Sequence, residues 1–362
     1  MTGGRTDGRS DGRTGRRVLF AALVLGGASV SPSDCPTVRR LSAQSLAPKP
    51  APIPDSLRPF VGEYGSDGNI LYITERGGRL EARVAQALAY PLTPVAPGDY
   101  TFPAGLYAGT RIVFAREGRG RAASVRVANA VFARRAIGPE DGRQLRVQAQ
   151  RPVSDLLVEA RSATPPVQPD TLLAADLVDV AALDTTIRLD VRYATTDNFL
   201  GSRFYDSPRV FLQRPAAEAV VRAHQWLRRR GYGILIHDGY RPWYVTKVFW
   251  DATPPPLRWL VANPANGSRH NRGCAVDLTL YDLATGAVVD MGGTYDEATE
   301  RSQPEYPVTS DLARWHRELL RLALVQEGFA RNPSEWWHFD YRDWRRYPIL
   351  NVTFEELASG RQ

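Results

Sequence analysis

The stretch Ser268-Arg-His-Asn-Arg-Gly-Cys-Ala-Val-Asp277 decides how the second half of the chain folds. Gly273 permits a sharp backbone turn, and the residues after it alternate as a strand does. Cys274, Val276, Leu278 and Leu280 share one face, and Ala275, Asp277, Thr279 and Tyr281 share the other. His270 is therefore placed on a loop and Asp277 on the strand that follows. About sixty residues later, Glu335-Trp-Trp-His338 adds a second imidazole and another carboxylate. Two imidazoles and one carboxylate can hold a zinc ion with one position left open. The chain has only five histidines, so two in one such pattern carry weight.

Working outward, Gly233-Ile-Leu-Ile-His237 reads as a buried strand. Pro215 opens a helix through Arg230, with Gly231 as its stop. Trp243 to Asp251 reads as helical. Ser310 caps a further helix, with Leu312, Trp315, Leu319 and Leu322 on its apolar face and Gly328 at its close. The aromatic run from Trp336 makes a final strand. Helices and strands mix without strict alternation, which predicts an α+β domain with a largely antiparallel sheet and flanking helices over residues 171–353. Residues 354–362 read as a tail.

The first half has another texture. Residues 1–43 carry Arg5, Arg9, Arg13, Arg16 and Arg17 ahead of the apolar run Val18–Leu25, then small residues, as an export signal does. Residues 44–56 are Pro-rich and read as a linker. Residues 57–160 read as short strands: Leu71 and Ile73, a Gly77-Gly78 turn, Leu80, Ala82 and Val84, then Ile112 and Phe114, Gly118, Val125 and Val127. This predicts a small all-β barrel or sandwich. Residues 161–170 read as a second linker.

The formal net charge is +7, of which +4 lies in residues 1–43. No basic run with interleaved aromatics stands out, so nucleic acid is not an expected partner. The apolar run near the start is too short for a normal membrane span, and none is expected once the signal is removed. Cys35 and Cys274 exclude a disulfide framework, and Cys274 reads as core filler. The pattern does not specify an oligomeric state.

The expected ligands are His270, Asp277 and His338, for one Zn2+ per chain. Glu335 is the expected general base. Residues three apart in a strand face opposite sides, so Glu335 must leave the strand that carries His338. Arg241, in His237-Asp-Gly-Tyr-Arg-Pro242, is positioned to steady an oxyanion; pairing with Asp238 is the competing reading. His224 reads as a packed helix histidine, His316 as solvated and His237 as strand core.

These residues resemble the zinc D-alanyl-D-alanine dipeptidases, the group of the vancomycin-resistance dipeptidase in peptidase family M15. The family pattern Ser-x-His-x-x-Gly-x-Ala-x-Asp is met by Ser268, His270, Gly273, Ala275 and Asp277, and Glu-x-x-His by Glu335 and His338. Asp190-Val-Arg-Tyr-Ala-Thr195 with Asp197-Asn-Phe199, Asp238-Gly-Tyr-Arg-Pro242, and Met291-Gly with Asp296 match three further blocks. The resemblance implies zinc at the three ligands, Glu335 as base and Arg241 at the transition state. It also implies contacts of Ser268, Asp296 and Tyr193 with a small dipeptide substrate, Asp296 meeting its free amine.

The chain departs from the family in a short stretch between Trp250 and Ser268. It departs again after Glu300, where the His that some relatives carry after Arg-Ser is absent. The β-region resembles, through Phe60-Val-Gly-Glu-Tyr64, the small β-domains appended to β-lactamase-like serine hydrolases. Together with the export signal, the expectation is a periplasmic or cell-envelope enzyme of cell-wall peptide turnover. A D,D-carboxypeptidase or L,D-type endopeptidase of the same architecture, and a non-catalytic peptidoglycan-binding module, are the alternatives.

Overall fold

The computed structural model describes residues 46–84, 88–105, 107–135, 137 and 145–360. The expected export segment and Cys35 lie outside the described residues.

Short alternating segments with tight turns pair readily with their sequence neighbours, and the β-region does so, with one further bridge between Tyr64 and Arg134. Strands β1 (Gly62–Ser66), β2 (Asn69–Arg76), β3 (Arg79–Val84) and β4 (Leu88–Pro91) form one antiparallel meander. Strands β5 (Thr93–Ala96), β6 (Asp99–Thr101), β7 (Arg111–Arg116), β8 (Ala122–Val127) and β9 (Ala130–Ala133) form a second. Phe60, Tyr64, Ile73, Leu80, Ile112, Phe114 and Val125 share one core between them.

The larger part is α+β. Helix α1 (Val153–Ser162) is followed by β10 (Leu177–Asp179), α2 (Val180–Leu183) and β11 (Arg188–Leu189). Next come β12 (Phe211–Gln213), α3 (Arg214–Arg228), β13 (Tyr232–Asp238), α4 (Trp243–Ala252) and β14 (Ala275–Asp282). The chain then adds α5 (Asp311–Val325), β15 (Phe329–Arg331), β16 (His338–Tyr341) and α6 (Phe354–Ala358). The main sheet runs β11-β13-β14-β16-β15, antiparallel except for the parallel β11–β13 pair. Both faces of β14 are buried from Ala275 to Tyr281, so its alternation decides direction and not exposure. Ser310 caps α5 by accepting from the Ala313 N–H. Both parts pack into one compact unit. Among the described residues no helix is long and apolar enough to cross a membrane.

Three sequence boundaries shift. The expected β-region to residue 160 takes in α1, yet Leu156 and Ala160 belong to the larger core and α1 packs on α4. The expected tail contains α6, whose Phe354 and Leu357 are buried, held by a capping box at Thr353. The last strand starts at His338, since Trp336 and Trp337 occupy a turn.

His316 corrects another expectation. It is buried, with Nδ1 2.9 Å from the Asp290 carbonyl and Nε2 3.2 Å from the Tyr232 hydroxyl. The segment before residue 291 covers that side of α5, which the helical period alone does not reveal. His224 is packed as expected. Its Nδ1 accepts from the Ile234 N–H at 3.0 Å, and its Nε2–H points to Thr186 Oγ1 at 2.9 Å.

Burial pushes the His224 imidazole down to about 4, outweighing Asp184 nearby. An unfolded chain binds a proton there from about pH 6.5 downward, while the folded chain resists until about pH 4. The stabilisation is complete above the upper value and is lost as pH falls through the window. It amounts to roughly 3 kcal/mol. The difference in unfolding free energy between wild type and His224→Gln, measured with urea from pH 7 to 4, should shrink by that order. A pH-independent difference would disprove the assignment.

Candidate metal centre

Register builds the site. On β13, β14 and β16, Asp238 pairs with Asp277 and Asp277 with His338. Directly opposed residues project to the same side, so three polar side chains form a row across three strands. A bulge between Ile236 and Asp238 brings Asp238 into that row. His270 arrives from the loop before β14, a single 3-10 turn that ends at Gly273 with φ 64°. A Cβ at 273 would collide with Leu177, so this turn requires glycine.

His270, Asp277 and His338 converge, all three buried. His270 Nε2 lies 3.2 Å from His338 Nδ1 and 3.5 Å from Asp277 Oδ1, and His338 Nδ1 lies 2.9 Å from that oxygen. Ligand atoms at about 2.0–2.1 Å around a tetrahedral zinc stand about 3.3 Å apart. The outer nitrogens fix the tautomers. His270 Nδ1–H donates to the Gly239 carbonyl at 2.7 Å, and His338 Nε2–H to Asp340 Oδ1 at 3.0 Å. Both inner nitrogens then present lone pairs to Asp277 Oδ1, which is buried and accepts no hydrogen bond. Three lone-pair atoms this close are stable only around positive charge. The donor set and its spacing therefore fit zinc.

The electrostatics agree. Burial would raise the Asp277 carboxyl, but the two imidazoles outweigh it and hold the group well below the usual range. Burial would lower His338, but Asp277 and Asp340 drive it well above its ordinary value.

The other expected residues surround the ligands in a cavity of about 830 Å³. Glu335 precedes β16 and is separated from it by the Trp336–Trp337 turn, so it leaves the strand as the spacing demands. Its Oε2 is 3.7 Å from His338 Nδ1 and accepts from Asn332 Nδ2 at 3.2 Å. Burial raises its carboxyl and the Asp277 charge adds to this, with His338 opposing. Arg241 lines the cavity while its Nε and Nη2 grip Asp238 Oδ2 at 3.1 and 2.7 Å. The pairing that competed with a site role is thus real, and it aims the guanidinium. Tyr205 and the Gly239 N–H hold the other Asp238 oxygen.

Tyr193 donates to Asp296 Oδ2 at 2.7 Å, and both line the cavity. Burial and the Asp277 charge push Asp296 up to about 7, against the Tyr193 hydrogen bond. Asp296 has φ 54°, in the left-handed region. Ser268 also lines the cavity, its Oγ accepting from the His270 N–H at 3.2 Å. His237 lies in β13 as expected, stacked on Tyr295 at 4.5 Å between ring centres.

Sequence reasoning missed two supports. Asp340 stands two residues after His338 on the same strand face, a period-2 signal that was there to read. Tyr295 donates to Asp277 Oδ2 at 3.2 Å from a loop, and no spacing announces it.

A buried His-Asp-His set with a carboxylate and a guanidinium in one cavity defines a metallohydrolase site. The family model of peptidase M15, D-Ala-D-Ala dipeptidase, matches residues 173–358. A D-alanyl-D-alanine dipeptidase of Escherichia coli strain K12 is 35% identical, over 51% of this chain and 94% of its own length. One from Enterococcus faecium is 34% identical over 43% and 87%, and one from Streptomyces coelicolor 31% over 47% and 94%. The chain belongs to the M15 D-Ala-D-Ala dipeptidase family.

Asp340 sets the tautomer of His338 without meeting the metal position. Asp340→Asn should lower zinc affinity by about 10–100-fold, measured by competition with a chromogenic chelator, with the fold retained. Unchanged affinity would remove this role.

Proposed function

We propose that the protein hydrolyses D-alanyl-D-alanine, or short dipeptides like it, in a zinc-dependent reaction. The convergence of His270, Asp277, His338, Glu335 and Arg241 in one cavity carries this reading, and the family's named activity supports it. His270, Asp277 and His338 would hold the zinc, which would supply Lewis acidity to water and to the scissile carbonyl. Glu335 takes a proton from the attacking water and returns it to the leaving amine; its raised carboxyl suits both directions. Arg241, locked by Asp238, faces the negative charge that grows on the carbonyl oxygen. Asp296, held by Tyr193, receives the substrate's ammonium, and the Ser268 hydroxyl is free to donate its proton to the dipeptide.

A second reading, a D,D-carboxypeptidase or L,D-type endopeptidase, is favoured by one observation. The cavity extends to Leu145, Leu260 and the exposed Trp259, more room than two alanines fill. Action on cell-wall peptides outside the cytoplasm rests on the sequence of residues 1–43. We read the β-region as a barrel or sandwich of the kind attached to β-lactamase-like hydrolases, on Phe60–Tyr64 and the two meanders.

Purified protein with zinc should release D-Ala from D-Ala-D-Ala faster than from L,D or L,L dipeptides and from longer peptides. Loss of zinc should abolish the reaction. Glu335→Gln should lower kcat by about 10²–10⁴. Arg241→Ala should cost about 10²–10³ in kcat. A zinc-loaded protein inert on the dipeptide would overturn the reading, and a longer peptide cut faster would install the second.

A further inference from the structure

The segment after Glu300 is held by the β-region. Thr74 Oγ1 donates to the Thr309 carbonyl at 2.8 Å, and the Glu75 N–H meets the same carbonyl at 3.5 Å. Glu75 Oε2 accepts from the Asp311 N–H at 2.9 Å, and the Gly77 N–H donates to Asp311 Oδ2 at 2.7 Å. Arg314 reaches from α5 to Thr74 Oγ1 and to the Glu75 carbonyl. Tyr306 is hydrogen-bonded to the buried Glu63, and Tyr306 and Val308 pack on Tyr72.

That clamped segment touches the loop that carries Tyr295 and Asp296. Gly292 has φ 75°, and a Cβ there would collide with Thr309 Oγ1, so the Thr309 side chain lies directly against the Gly292 backbone. From Gly292 the loop runs to two left-handed residues, Asp296 at φ 54° and Ala298 at φ 53°. Non-glycine residues hold that conformation only when their surroundings enforce it. Glu297 supplies part of the restraint, accepting from Thr294 N, Thr299 Oγ1 and Arg301 Nε. Thr309 supplies a wall.

We infer that the β-region is a brace for the amine side of the pocket, with Thr74, Glu75 and Tyr306 as positioning residues that act through Thr309 and Gly292 on Asp296. The inference rests on the dipeptidase reading of the cavity. It assigns the β-region a part in substrate recognition that its own residues, remote from the metal ligands, do not suggest. Asp296 meets the substrate itself, whereas the same loop and segment reach the metal site only through Tyr295 on Asp277 and the Ser302 carbonyl on the Trp336 N–H, so the brace acts chiefly on substrate binding.

The test uses full-length, zinc-loaded protein and two variants on opposite sides of the contact, the double change Thr74→Val with Glu75→Gln, and Tyr306→Phe. KM for D-Ala-D-Ala should rise about five-fold or more, with kcat within about two-fold. The preference for the free dipeptide over its N-acetyl form, as a ratio of kcat/KM, should narrow by a similar factor. A general loss of structure would lower both substrates alike. Amide hydrogen exchange over residues 291–311 should quicken in both variants at unchanged zinc content. Exchange that stays the same, or a fall in kcat with KM and the preference intact, would overturn the brace. Wild type inert on both substrates would instead overturn the dipeptidase reading, and the exchange measurement would still decide the contact itself.

Discussion

The site depends on the register of β13, β14 and β16. Asp238, Asp277 and His338 lie opposite one another on three adjacent strands, and side-chain direction in a sheet alternates with every residue. A slip of one residue between β14 and β16 would send His338 to the opposite face and dissolve the ligand set. Burial of β14 on both sides makes such a slip costly, because each face is packed against its own layer. The metal centre is therefore set by the same backbone pairing that forms the core. His270 is the exception, brought in by a glycine-ended turn.

Around that row, each functional group is oriented by a partner that does not react. Gly239 and Asp340 turn the two imidazoles, Tyr295 holds the second oxygen of Asp277, and Asp238 holds Arg241. Asp238 is the most heavily used. It accepts from Tyr205, from the Gly239 N–H and from two nitrogens of Arg241, in a fully buried position. This many donors fix one buried carboxylate in place, and with it the guanidinium of Arg241 beside the cavity.

Much of this was legible in the sequence, for a physical reason. Ligands carried by strands and caps obey local periodicity, so the spacing of Asp277, Glu335 and His338 already required Glu335 to lie off the strand. The helix start at Ser310 and the stop at Gly231 follow from local backbone rules as well. What sequence could not supply were contacts set by tertiary packing. His316 looked solvated because helical period says nothing about a covering segment near residue 290. Residues 153–160 looked like an extension of the β-region because their attachment to α4 is a long-range fact. The role of residues 303–311 was hidden for the same reason, since their partners lie in β1 and β2.

The hydrogen bond from Thr74 to the Thr309 carbonyl joins residues 235 apart in the chain. The ladders of β1–β4 and β5–β9 join strands that are neighbours in the sequence, whereas this contact spans most of the chain. The rim contact has to wait until both parts have been built and docked. Completion of the pocket's amine side therefore depends on the β-region as well as on the strands that hold the metal ligands.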